Sequence, residues 1–208
     1  MKVRFFSLMV LFICSFSAFT QPFNAGLLAG GIVSQVDGDT YDGYHKFGFL
    51  AGAFVSLRIS PHSSFQFEIE YIQKGSRRNG DSLSPETFLM RLHYLEIPVL
   101  FQYNLAKKVS LETGLAVDIS IGDYEESYGL VVQNTVKLRP VTLGAILGIN
   151  YEIINQLRLN FRLGYSLISI RDVKNGNYPP GYRHILFEKG EYNNLMSLSL
   201  IFKFKNDE

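Results

Sequence analysis

The chain has 208 residues, 19% of them charged, with a formal net charge of +1. This excludes the basic footprint of a nucleic-acid binder and an acidic tail, while the length allows one domain or one small barrel. The one cysteine, Cys14, falls in the first apolar run, so neither a disulfide framework nor a cysteine metal site is available beyond it.

Residues 1–21 read as a secretory signal peptide. Lys2 and Arg4 supply positive charge, and Phe5 opens an apolar run through Phe16 that is too short to span a bilayer as a helix. Ser17, Ala18 and Thr20 offer small residues for cleavage near or before Gln21. A lipid anchor on Cys14 would want a small residue before it, where Ile13 stands. Residues 22–208 read as one domain, because each polar segment returns to the same pattern.

That pattern has a period of two, the signature of strands. The stretch 23–33, rich in Gly and Ala, is the weakest. Next, Phe47, Phe49, Val55 and Leu57 oppose Gly48, Gly52, Ser56 and Arg58. Phe65, Phe67, Ile69 and Tyr71 oppose Gln66, Glu68 and Glu70, and Leu95, Ile97, Val99, Phe101 and Tyr103 oppose Glu96 and Gln102. Val109, Leu111, Leu115, Val117 and Ile119 oppose Ser110, Glu112 and Asp118. Leu143, Ala145, Leu147, Ile149 and Tyr151 face away from Thr142, Gly144, Gly148 and Asn150. Leu157, Leu159, Phe161, Leu163 and Tyr165 oppose Arg158, Asn160, Arg162 and Ser166. Last, Met196, Leu198, Leu200, Phe202 and Phe204 oppose Ser197, Ser199 and Lys203. The 12 Tyr and 17 Phe suit such strands. Pro98 would remove a ladder hydrogen bond, and a bulge is expected there.

Short connections at 60–64, 104–108 and 152–156 alternate with long ones at 34–45, 75–93, 120–139 and 168–193. This is the layout of an all-β, eight-stranded antiparallel up-and-down transmembrane β-barrel, its long loops facing outward. A soluble barrel with its apolar face inward is the competing architecture. Size favours the membrane form: eight strands leave an interior that side chains only just fill, and the polar faces carry the smaller residues. Charge agrees. Arg58, Lys74, Arg158, Arg162 and Lys203 share the polar faces with Glu68, Glu70, Glu96, Glu112 and Asp118, and buried charges need partners. An interior ion-pair network of structural purpose is therefore expected from these ten residues. Tyr103, Tyr151, Phe202 and Phe204 would form the aromatic girdle at the short-turn end, and Phe47, Tyr71 and Tyr165 the one at the long-loop end.

Tyr71-Ile72-Gln73-Lys74-Gly75, Tyr94-Leu95-Glu96-Ile97-Pro98-Val99-Leu100 and Leu167-Ile168-Ser169-Ile170 together resemble the outer-membrane β-barrel domain of PorT-like proteins of Bacteroidetes. The resemblance spans nearly the whole chain after the signal. It implies an eight-stranded outer-membrane barrel in which Pro98 is a family feature. It implies little about activity: the family's namesake takes part in protein secretion, and no site residue carries over.

Chemistry weighs less than structure here. His45, His93 and His184 fall in or beside long loops with Asp39, Asp42, Asp81 and Asp172, but lack metal-ligand spacing; solvated loop histidines are the expectation. Glu68 and Glu70 share a strand face and could do acid–base work, though an ion-paired interior explains them more simply. Gly26, Gly30 and Gly31 match no phosphate loop. Tyr178, Tyr182 and Arg183 lie in a long loop that reads as an ordinary hydrophilic one with the makings of a recognition surface. The expectation is a non-enzymatic, monomeric outer-membrane barrel without cofactor, embedded in lipid and meeting any protein partner through its loops. A surface hydrolase and a periplasmic binder of apolar ligands are the alternatives.

Overall fold

Alternation along the sequence becomes alternation of environment in space. The computed structural model describes residues 23–41, 43–80, 82, 85–132, 136–172, 181–185 and 188–204; the signal segment lies outside them. In chain order the strands are β1 Phe23–Asp37, β2 Lys46–Arg58, β3 Ser63–Arg78, β4 Phe88–Ala106, β5 Val109–Ser127, β6 Leu130–Val131, β7 Val141–Ile154, β8 Leu157–Ser166, β9 Arg183–Ile185, β10 Glu188–Gly190 and β11 Tyr192–Lys203. Eight of them close a barrel in the order β1, β2, β3, β4, β5, β7, β8 and β11, each antiparallel to both neighbours, with β1 pairing β11 to seal it. Closure leaves no barrel edge unpaired, which a lipid environment demands. Strand β6 folds back on the end of β5, and β9 and β10 form a hairpin between β8 and β11.

Every barrel strand turns large apolar side chains outward, among them Leu27, Phe49, Phe67, Val99, Leu115, Leu147, Leu163 and Leu198. In water a continuous belt of this size would drive aggregation; in lipid it is the solvated face. The intervening residues point into the lumen.

Three expectations need correction. The ladder does not bulge at Pro98. Pairing of β3 with β4 skips from Phe67↔Val99 to Glu70↔Glu96 with the register kept, while Pro98 still pairs with Ala116 of β5. The missing N–H lies on the β3 side, and an omitted pairing accommodates it without an extra residue. The register shifts that do occur lie at His93/Tyr94, Asn104/Ala106 and Glu152/Ile154.

The long connections at 75–93 and 120–139 are also shorter than expected. Strand β3 runs to Arg78 paired with β4, and β4, from Phe88, stays paired with β5 up to Ser127, so three strands rise as a wall above the lipid band. Backbone hydrogen bonds carry this wall on; its inner face stays buried through Met90 and Leu92, while its outer face meets water and carries Arg77 and Arg91, so apolar residues no longer mark the outward side.

Finally, the lumen is not uniformly polar. Leu28, Ile32, Leu50, Phe54, Leu195 and Ile201 of β1, β2 and β11 point inward and pack as one cluster, continued above by Ile72, Met90, Leu92 and Tyr94. Side chains rather than water fill that half of the barrel.

Candidate functional site

The polar half of the lumen is built by β3, β4, β5, β7 and β8. Parity places Glu68, Glu112 and Arg162 on three inward faces, and the guanidinium fork meets them together. Arg162 donates from Nη1 and Nη2 to the two oxygens of Glu68 at 2.7 Å each, and from Nε to Glu112 Oε1 at 2.6 Å. The remaining capacity of Glu112 is taken by the amides of Asn150, at 2.8 Å, and Asn160, at 2.7 Å. Such saturation is what lets a buried ion cluster offset its desolvation cost. A Cβ at Gly148 would stand 2.7 Å from the Glu112 carboxylate, so the glycine clears the space this charge occupies.

One layer toward the long-loop end, Lys74 donates to Asp118 Oδ1 and Oδ2 at 2.9 and 2.8 Å and pairs with Glu96. Glu70, Glu96 and Asp118 lie side by side on β3, β4 and β5, because the register pairs Glu70 with Glu96 and Glu96 with Asp118. Glu70 faces Glu96 rather than a cation, and its Oε2 has no hydrogen-bond partner among the described residues. A void of about 20 Å³, room for one water, adjoins it.

The expected ten-residue network therefore divides. Lys74, Glu96 and Asp118 form one ion cluster, and Arg162, Glu68 and Glu112 a second. Glu70 is buried beside them. Arg58, Arg158 and Lys203 stand apart at the short-turn mouth: among the described residues neither arginine meets a carboxylate, and Lys203 approaches only Glu152, at 3.9 Å.

Above the lumen a further charged centre holds the cap, and no periodic pattern along the chain marks it. Arg171, 1% exposed, donates from Nε to Glu191 at 2.7 Å, from Nη1 to the Val136 carbonyl at 2.7 Å, and from Nη2 to Glu125. Arg139 forks onto Glu188 at 2.7 and 2.8 Å, and the Ser169 amide donates to the same carboxylate. Four segments distant in sequence are thereby tied into one lid. Burial pushes the Glu191 carboxyl above the usual carboxylate range against the pull of Arg171, and burial with the nearby Glu191 charge raises the Tyr182 phenol. Beside the lid, upper β5, β6 and residues 136–140 bound an open cleft of about 610 Å³.

The side chains of His45 and His93 do not converge on a site, and that of His184 lies outside the described ones. His93 lies on the outer face of β4, where Nδ1 hydrogen-bonds the Tyr71 hydroxyl, and His45 adjoins the turn at Gly43. Among the described residues no group of three or more His, Cys, Asp or Glu side chains is arranged to hold a metal. Asp42, Asp81, Tyr178 and most of the 173–187 segment lie outside the described residues.

A closed eight-stranded antiparallel barrel with a lipid-matched belt and an ion-paired lumen defines an outer-membrane β-barrel protein. The chain belongs to the outer membrane protein beta-barrel domain family, whose model matches residues 6–172. Its fold is similar to that of Ail, the attachment invasion locus protein of Yersinia pestis, at 13% identity over 87% of this chain and 98% of that one, with a TM-score of 0.54. Neisserial surface protein A is similar to the same degree, at 13% identity over 88% of this chain and 97% of that one, with a TM-score of 0.53. No curated protein matches the chain.

Proposed function

We propose that the protein is non-enzymatic and presents its long-loop end to a protein partner outside the cell, in a scaffold, surface-interaction or secretion/assembly role. One observation carries this reading: the lumen is packed and ion-paired, whereas the opposite end carries a braced lid beside a projecting apolar tip. At that tip, where β5 turns into β6, Tyr128, Leu130 and Val131 are 63%, 71% and 68% exposed. Apolar side chains held this far from lipid on a paired hairpin, next to an open cleft, suit a protein contact. Most carboxylates of the lumen are taken up in ion pairs, Glu68 and Glu112 with Arg162 and Glu96 and Asp118 with Lys74, which favours a structural role for them.

The resemblance to PorT-like proteins of Bacteroidetes supports the secretion or assembly variant, with export by the 1–21 signal and a monomer in lipid. Ail and neisserial surface protein A have surface roles in their names; at 13% identity they share the fold alone with this chain.

Photo-crosslinking in living cells tests the reading, with the crosslinker placed at Leu130 or, as a control, at Leu105 on the short-turn side. Capture of a discrete protein from Leu130 and not from Leu105 is expected. No capture from Leu130, or equal capture from both, contradicts the proposal. The purified barrel should carry no steady ion current in planar bilayers.

A further inference from the structure

The short-turn end of the barrel carries a charge imbalance that the ion clusters above it do not share. Three features converge there: the inward-facing ends of β2, β8 and β11, the β4–β5 turn, and the lower end of β7. They bring Arg58, Arg158, Lys203, Lys107 and Lys108 around one polar cavity of about 110 Å³, in which Glu152 is the only lining carboxylate among the described residues. The Lys203 ammonium lies within Coulombic reach of both Arg58 and Arg158. Like charges brought together this closely repel, so a fold that holds them gains from an anion between them.

Arg158 forms the floor. Its guanidinium packs over the Phe54 ring, 5.8 Å from the centroid, and its contacts to Gln102 Oε1 and Gln66 Oε1 are long, at 3.4 and 3.2 Å. Its Nε is enclosed and has no acceptor among the described residues. Arg162, four residues along the same inward face, satisfies all three nitrogens with carboxylates. The two arginines therefore differ in kind: Arg162 completes a closed cluster of carboxylates, whereas Arg158, which lines the cavity, meets only neutral amide oxygens and leaves its Nε without an acceptor among the described residues. A guanidinium fork with ammonium groups around it suits a tetrahedral oxyanion, which uses more donors than a carboxylate does. The hydroxyls of Ser60 and Ser64 lie on the same wall, engaged with Ser63 and Gln102 respectively.

We propose that the short-turn mouth is a binding site for a phosphate-class oxyanion, seated on Arg158 and held from the rim by Arg58, Lys203, Lys107 and Lys108. Short turns face the periplasm in barrels of this architecture. The phosphate therefore comes from a soluble periplasmic ion or from the headgroup of an inner-leaflet lipid beside the Tyr103 and Tyr151 girdle.

The test uses the full chain folded in phosphate-free amine-oxide micelles and titrated with inorganic phosphate at constant ionic strength. The readout is the ¹⁵N resonance of the Arg158 Nε–H group, with phosphorus NMR as a second signal. A saturable shift of that resonance is expected. Arg158→Gln should abolish the phosphorus signal of the bound ion, while the heat-dependent gel shift of that variant verifies that it folds. Lys107→Gln with Lys108→Gln, both exposed in the β4–β5 turn, should weaken binding several-fold; Arg91→Gln at the opposite rim should not change it. In neutral galactolipid nanodiscs, a shift produced by added phosphatidylglycerol and not displaced by phosphate assigns the site to a lipid headgroup. A shift produced by phosphate alone assigns it to the soluble ion. A response no different from that to chloride, or none in either medium, overturns the proposal. So does binding that appears only after Asp207→Asn and Glu208→Gln, since the mouth would then hold the chain's own acids.

Discussion

The two walls of the lumen solve the same packing problem by opposite means. On β1, β2 and β11 the space is closed by Leu28, Ile32, Leu50, Phe54 and Ile201, which need only shape. Facing them, Glu68, Glu112, Arg162, Lys74, Glu96 and Asp118 need partners in fixed geometry, because an unmatched charge there has no water to fall back on. The apolar wall excludes water from the charged one and so raises the strength of its pairs, and also the cost of breaking them. A charged wall is brittle to single changes where an apolar wall gives.

Substitutions on the two walls should therefore differ in cost. Arg162→Met strands Glu68 and Glu112 together and should cost about 3–5 kcal/mol, read as a lower urea midpoint for loss of the heat-modifiable band. Adding Glu68→Gln and Glu112→Gln should restore much of the loss; no restoration would mean that Arg162 acts through packing. Gly148→Ala pushes a methyl into the Glu112 carboxylate and should cost about 1–3 kcal/mol in the same assay. On the opposite wall, Ile32→Val removes one methylene and should cost about 0.5–1.5 kcal/mol. If it proves more damaging than Gly148→Ala, the assignment of brittleness to the charged wall is wrong. At the mouth, Glu152→Gln loses only a long, solvated contact to Lys203 and should change stability by less than about 1 kcal/mol.

The sequence exposes these walls unequally, for physical reasons. Lipid requires an apolar side chain at nearly every outward position, so Phe65, Phe67 and Ile69 against Gln66, Glu68 and Glu70 declare the period of β3 outright. On β1 and β2 the inward Leu28, Ile32, Leu50 and Phe54 are as apolar as the outward residues, and alternation fades where packing replaces charge. Parity identifies which charges face inward but not which meet. Arg162 finds Glu68 across the lumen, 94 residues away, a distance fixed by closure rather than by spacing. Arg171, Glu125 and Glu191 escape altogether, since they join segments that have no period to read. The upper parts of β3 to β5 are hidden because their outer face meets water rather than lipid, with Arg77 and Arg91 where apolar residues stand below.

Methyl NMR in nanodiscs carrying a doxyl-labelled lipid distinguishes an apolar belt in lipid from a lumen closed to it. Strand β11 supplies both faces: Leu198 and Leu200 point outward, Leu195 and Ile201 inward. Broadening of the Leu198 and Leu200 methyls, with those of Leu195 and Ile201 left sharp, is the predicted result. The reverse pattern, or no broadening of either pair, would contradict the account.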